Sequence, residues 1–447
     1  MSRFLVEGSH RLSGELTVQG AKNSVLPILA ATVLNRGETV LLNCPHLRDV
    51  ETSIEILQHL GCAVRWEGSA LLVDSSGLNS WEISDALMRE MRSSAVYLGV
   101  LLARCGRAKL SYPGGCELGP RPIDLHLSGL RRLGAEIRED GGELDCRAER
   151  LRGGEIVLSL PSVGATENLM LAACGGTGVT RIVNAAREPE IEDLQNFLCA
   201  CGARVHGAGS STVFVEGGRI LHGCTYSIMP DRIAAATYLC AAAAAGGEVR
   251  LLRAKESHLS TVTALLREAG CRVRSDADSV VLHRERRLRA VGPVRTAPYP
   301  GFPTDAQAVL MAALLTASGS TVFEENIFSS RYRHVDEMTR MGGNIRVSGR
   351  VAVVTGVEKL HGARVCAADL RGGAALVLAA LSAEGRSEIS DAGHVDRGYE
   401  DFAGALRVLG ASVVRAEDED ERTGDSGNGQ TQKFKPETKK GTVRIPL

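Results

Sequence analysis

Six times along the chain, a run with leucine, isoleucine and valine at helical spacing stops at a glycine and gives way to an alternating segment. The passages are LGCAV (60–64), LGAEI (133–137), CGARV (201–205), AGCRV (269–273), MGGNI (341–345) and LGASV (409–413). Their glycines, Gly61, Gly134, Gly202, Gly270, Gly342 and Gly410, lie 73, 68, 68, 72 and 68 residues apart. The apolar spacing predicts amphipathic helices over 50–60 and 258–269. A glycine just past the last turn takes the left-handed conformation that closes a helix. The alternation that follows reads as a strand. Each unit also carries an earlier helix that is apolar nearly all round and therefore buried. Examples are 24–34 before Gly37, 234–245 before Gly247 and 306–316 before Gly319. The repeat is thus two helices and about four strands. Six such units divide most simply into two domains of three.

Composition narrows the picture. The chain has 447 residues, enough for two or three domains. Hydrophobic residues make up 44% but aromatics only 4%, so the cores must be built from Ala, Leu, Val and Ile. Lys and Arg number 52 against 53 Asp and Glu, which gives no basic excess for a nucleic-acid partner but leaves room for a local cationic pocket. The 12 cysteines include no CxxC pair, so no metal site is expected, and free thiols imply a reducing cytoplasm. The first residues, MSRFLVEGSHRLSG, carry no apolar signal core, and the longest apolar run, 233–245, is too short to span a bilayer. No membrane partner is expected. After 416 the pattern breaks: an acidic run, EDEDE, leads through TGDSGNGQTQ to a basic stretch. Residues 417–440 read as a solvated insertion or tail. The closing TVRIPL is expected to pair with 412–415.

The least helical segment is 111–122, SYPGGCELGPRP, whose prolines and glycines punctuate a loop of the kind that acts as a lid. Cys116 sits at its centre. Arg121 favours its thiolate and Glu117 opposes it; the residues alone leave a reactive thiol and an ordinary packing residue equally open. GAKNS places Lys22 and Asn23 at the start of an apolar helix, where a phosphate or carboxylate is well received; an exposed Lys with a capping Asn is the plainer reading. Arg89 and Arg92 in MREMRSS open the second unit's buried helix, and Arg397 in HVDRGYE matches them in the last unit. Cations there oppose the helix dipole and suit a bound anion, unless they simply pair with Glu90 or Asp396. Asp231, Asp305 and Asp369 stand at helix starts, where capping is the ordinary role. SVGAT (162–166) reads as a turn entering a helix, with backbone N–H groups free for a phosphate.

Taken in order, GAKN, MRSS, PGGCELGPRPIDLH, PSVGAT, NAAREPEI, MPDRIAAATY, PTDAQA, DLRGGAALVLAAL and HVDRGYE resemble one family, the UDP-N-acetylglucosamine 1-carboxyvinyltransferases of bacterial peptidoglycan precursor synthesis. The resemblance runs over about 1–416. It implies a two-domain inside-out α/β barrel with three βα units per domain around buried helices. One domain would comprise 1–21 plus 230–447, the other 22–229 with the cysteine loop, and the active site would lie between them. It implies that Lys22, Arg92, Arg121 and Arg397 bind phosphoenolpyruvate. Asp305 would be the base for the sugar 3′-hydroxyl and Cys116 the acid for C3. Asn23, Ser162, Val163, Gly164, Asp305 and Ile327 would hold UDP-N-acetylglucosamine, with Asp124 and Leu125 on the uridine side and Asp369 and Leu370 lining the cleft. It implies no metal and no organic cofactor, and it names no protein partner. The chain departs from the family at Leu160, where some members have Lys, at Ser329 and Ser330 in FSSR, and at Gly372 and Gly373. The shikimate-pathway enolpyruvyl transferase, a catalytically silent paralogue and an RNA-processing enzyme of similar repeat are the alternatives.

Overall fold

The computed structural model describes residues 2–114 and 123–417. The loop centre with Cys116 and Arg121, and the tail with TVRIPL, lie outside the described residues. Every repeat glycine named above has positive φ, from +86° at Gly410 to +108° at Gly270. At Gly61 the requirement is twofold. Its φ is +96°, and an added Cβ would lie 2.7 Å from Asn79 Oδ1.

The repeat appears as a sheet of fixed plan. In the simplest case Leu12–Thr17 runs parallel to Gly247–Leu252, which pairs antiparallel with Ser279–Arg284, which pairs antiparallel with Arg272–Ser275. Five four-stranded sheets follow this plan. A three-stranded sheet gains its parallel neighbour through a single bridge between Glu82 and Lys109. One sheet is completed from the far end of the chain: Ser2–Glu7 lies between Arg386–Ser390 and Ser412–Glu417. The N-terminal strand therefore takes one side of the strand that the sequence pairs with TVRIPL.

Buried apolar side chains form two clusters. One joins residues 4–18 to 234–413; the other spans 25–228. Three apolar helices pack together inside each. Arg232–Ala245, Thr304–Leu314 and Leu370–Ser382 fill the first, and Lys22–Ala31, Tyr97–Cys105 and Val163–Gly175 fill the second. Alanine and glycine let these helices approach closely, which explains the low aromatic content. Gly99 marks the tightest approach: its N–H donates to Asn168 Oδ1 at 2.7 Å, and a Cβ there would lie 2.2 Å from the same oxygen. Amphipathic helices such as Arg48–His59 and Pro189–Ala200 cover the sheets from their apolar faces.

The chain passes between the clusters twice, side by side. Ala21 N–H donates to Met229 C=O at 2.7 Å and Asp231 N–H to Gln19 C=O at 2.8 Å. Asp193 pins this junction by accepting from Ser24 Oγ at 2.5 Å, Tyr226 Oη at 2.7 Å and Met229 N–H at 3.2 Å. No helix among the described residues is long and apolar enough to cross a membrane.

Candidate active site

The six inner helices begin at residues that the sequence singles out. Lys22 and Asn23 open the first, and Arg92 begins a 3-10 turn, Arg92–Val96, that leads into the second. Ser162 caps the third by accepting from Ala165 N–H at 3.4 Å. Asp231 caps the fourth through Ile233 and Ala234 N–H, and Asp369 caps the sixth through Arg371 and Gly372 N–H. Two readings need correction. Asn23 is not a cap, because the N-cap position is Ala21 and no side chain bonds there. Asp305 does not cap either; it lies inside the first turn of Thr304–Leu314 and is held by arginines instead.

The strongest cluster bridges the two cores. Lys22 Nζ lies 2.8 Å from Asp49 Oδ2, and Arg397 Nε donates to Asp49 Oδ1 at 2.8 Å. Asp49 is only 5% exposed. Burial pushes its carboxyl up, but Lys22 and Arg397 outweigh burial and hold it below the ordinary Asp range. A carboxylate between two cations fixes both side chains, as a docking point for an anion requires. Arg397 therefore pairs with Asp49, not Asp396, which is taken by Arg415. Arg89 lies on the separate exposed helix Asp85–Glu90, paired to Asp85 at 2.6 Å, so it does not open the buried helix. Arg92 donates to Pro113 C=O at 2.9 Å and thereby ties the start of the 111–122 loop to the helix base.

A second cluster centres on Asp305. Arg331 Nη2 donates to its Oδ1 at 2.9 Å and to Thr304 C=O at 2.9 Å. Arg371 Nη2 reaches its Oδ2 at 3.4 Å. Both guanidiniums are almost wholly buried; among the described residues Arg331 Nε has no hydrogen-bond partner, and the Arg371 guanidinium lies 5.4 Å from the Tyr399 ring centroid. Buried donors of this kind are costly unless something accepts from them. His334 lies buried beside Arg331 and Asp369; burial holds its ring down to about 4, so it is neutral near pH 7. Gly372 makes room here, since a Cβ would lie 2.8 Å from Asp369 Oδ2 and 3.1 Å from His334 Cβ. At Gly373 a Cβ would meet Ala367 and Val395 at 2.9 Å. These two departures from the family pattern therefore fit close packing around Asp369.

Asp49, Arg331, Arg371 and His334 escape sequence reasoning. Arg331 and Arg371 lie within FSSR and DLRGG, motifs already in view, whereas nothing local marks Asp49 in LRDV. Val163, Gly164 and Leu370 fall at the helix starts as expected. Asp124 and Leu125 open Asp124–Arg132, with Asp124 exposed, and Ile327 is exposed on a loop where its N–H donates to Glu325 at 2.8 Å. None of these three is a partner of Asp49.

Buried acids flank the junction. Arg232 Nε donates to both oxygens of Glu190, at 2.9 and 3.2 Å, across the two cores. Glu167, buried, is pushed well above the ordinary Glu range by burial and then by Glu190 and Glu188. The folded chain thus keeps a proton that the unfolded chain loses near pH 4.3. Stability falls as pH rises from there toward the folded value, by up to about 1.4 kcal/mol per pH unit. Glu167→Gln removes that penalty. Thermal melts of the variant and wild type from pH 4 to 8 will show a stability difference that grows in the variant's favour as pH rises.

The enolpyruvyl transferase NikO from Streptomyces tendae superposes with a TM-score of 0.84 at 27% identity, over 93% of this chain and 98% of its own. EPSP synthase from Acinetobacter baumannii shares the fold, with a TM-score of 0.70 at 17% identity over 93% of this chain and 100% of its own. A family model described as EPSP synthase (3-phosphoshikimate 1-carboxyvinyltransferase) matches residues 6–406. UDP-N-acetylglucosamine 1-carboxyvinyltransferase 2 of Caldanaerobacter subterraneus subsp. tengcongensis is 51% identical over 93% of this chain and 100% of its own. UDP-N-acetylglucosamine 1-carboxyvinyltransferase 1 of Symbiobacterium thermophilum is 50% identical over 92% of this chain and 95% of its own. The chain belongs to the EPSP synthase family and, within it, to the UDP-N-acetylglucosamine 1-carboxyvinyltransferases.

Proposed function

We propose that the chain transfers the enolpyruvyl group of phosphoenolpyruvate to the 3′-hydroxyl of UDP-N-acetylglucosamine and releases phosphate, the first committed step of peptidoglycan precursor synthesis. The observation that carries this reading is the 51% identity over 93% of the chain to an enzyme of that name. The site chemistry agrees with it. Phosphoenolpyruvate brings a phosphate and a carboxylate, and Lys22 and Arg397 stand fixed by Asp49 to receive an anion. Arg92 and Arg121 complete the cationic set. Asp305 accepts the proton of the attacking hydroxyl as oxygen bonds to C2. Cys116 delivers a proton to C3 to give a tetrahedral ketal, which then loses phosphate from C2 and a proton from C3 to leave the enolpyruvyl ether. Asn23, Ser162, Val163, Gly164, Asp305 and Ile327 hold the nucleotide sugar. Asp124 and Leu125 contact its uridine side, and Asp369 and Leu370 line the cleft. No metal or organic cofactor enters this scheme.

Two domains follow from the same reading, 1–21 with 230 onward and 22–229, each an inside-out barrel of three units. Its substrates are cytoplasmic metabolites, and the enzyme works in that compartment.

Phosphate release will be measured with phosphoenolpyruvate and UDP-N-acetylglucosamine together and singly. Release that requires both, and falls about 10²–10⁴-fold in Cys116→Ser, fits loss of a proton donor. Release supported by shikimate 3-phosphate in place of the nucleotide sugar would move the chain to the other branch of the family. A folded wild type that binds UDP-N-acetylglucosamine without turnover would make it a silent paralogue.

A further inference from the structure

Away from the cleft, two cysteines from different parts of the fold meet. Cys201 closes the helix Pro189–Ala200 and is fully buried; Cys224 lies half-buried between the strands Leu221–His222 and Thr225–Ser227. Their sulfurs are 3.5 Å apart. The backbones around them are joined by His222 N–H, which donates to Cys201 C=O at 3.0 Å, while Val40 N–H holds Cys224 C=O at 2.9 Å. Asn35 Nδ2 donates to Cys201 Sγ at 3.3 Å, which orients that sulfur. The sulfurs must approach one another from that contact to reach the bond length of about 2.05 Å. The exposed described thiols, Cys199 two residues before Cys201 and Cys366 on the strand Arg364–Cys366, provide internal comparisons.

We propose that Cys201 and Cys224 form a dithiol site that closes to an intramolecular disulfide when a hydroperoxide oxidises it. The half-buried Cys224 thiolate attacks a peroxide oxygen, the O–O bond breaks, and Cys224 becomes a sulfenic acid as the other oxygen leaves in water. Cys201 sulfur then attacks the Cys224 sulfur and a second water leaves. Two thiols and one hydrogen peroxide give one disulfide and two waters. Two hydrogens leave the protein, and a cellular thiol reverses the bond. Burial raises both thiols above their ordinary range, so the first step quickens as pH rises.

The link would tie together two segments that lead to the domain junction. The helix ending at Cys201 carries Glu190 in its first turn, and the segment beyond Cys224 runs to Arg232, the partner of Glu190.

The test treats the full-length enzyme with hydrogen peroxide, then alkylates, digests and analyses it by mass spectrometry. The expected result is a linked peptide pair containing Cys201 and Cys224, lost on treatment with dithiothreitol and absent from Cys224→Ala. A Cys199→Ala variant must still form it, which separates Cys201 from its exposed neighbour. Because Cys201→Ala empties a buried position, the decisive comparison uses Cys224→Ala, which is only half-buried. Oxidation of Cys199 or Cys366 in the wild type with no Cys201–Cys224 link would overturn the proposal. So would capture of Cys224 as a sulfinic acid while Cys201 stays a free thiol.

Discussion

Asp49→Asn will lower kcat/KM for phosphoenolpyruvate about a hundredfold, close to 2.7 kcal/mol of transition-state stabilisation. Most of the loss will appear as a higher KM for phosphoenolpyruvate. The reason is geometric. Asp49 holds Lys22 at 2.8 Å and Arg397 at 2.8 Å, and these come from the two different cores. Asparagine keeps the shape but not the charge, so two cations are left facing one another and lose their shared anchor. Free phosphoenolpyruvate can partly replace that charge, which is why high substrate will recover some activity. The pH dependence of folding has a definite sign. Asp49 sits below its ordinary range when folded, so its stabilisation is complete above the unfolded value of about 3.9 and fades as pH falls through the folded value. Acid melts will show that decline in the wild type and a shallower one in Asp49→Asn. An unchanged KM in the variant would mean that Lys22 and Arg397 hold their positions without Asp49.

Asp305→Asn will reduce kcat by about 10²–10⁴-fold, the range for loss of a positioned general base. UDP-N-acetylglucosamine affinity will change far less. Asn still offers one oxygen to Arg331, which keeps the first turn of Thr304–Leu314 in place. Equilibrium binding of the nucleotide sugar and single-turnover phosphate release separate the two effects. The paired arginines explain why this carboxylate is directional. Arg331 and Arg371 approach different oxygens, and the backbone hydrogen bond from Arg331 to Thr304 fixes one of the two guanidiniums. A variant with full turnover would assign the base elsewhere; one that loses sugar binding but not chemistry would make Asp305 a binding residue alone.

The sequence read well wherever local backbone chemistry carried the signal. Gly61 and its five counterparts must adopt positive φ because a helix ends there and a strand starts, and that demand is written in the residue itself. Ser162, Asp231 and Asp369 cap helices as short polar side chains do. Alanine-rich runs such as IAAATYLCAAAAA had to be buried helices, because they have no polar face to give to water. Lys22, Arg397 and Asp305 were legible as candidates through motifs.

What the tertiary structure alone decided is which charges meet. Arg397 and Asp49 are 348 residues apart in the chain and 2.8 Å apart in space. Within HVDRGYE the adjacent Asp396 looked the natural partner, yet it faces Arg415. Asp305 looked like a cap, yet Arg331 from the same repeat and Arg371 from the next claim it. The N-terminal strand likewise completes the last repeat's sheet, a closure that periodicity cannot assign because the pairing joins opposite ends of the chain. Helix ends and burial are set within one turn of backbone and so survive in a single sequence. Ion pairs between distant segments depend on how whole repeats pack, and that information exists only once the chain has folded.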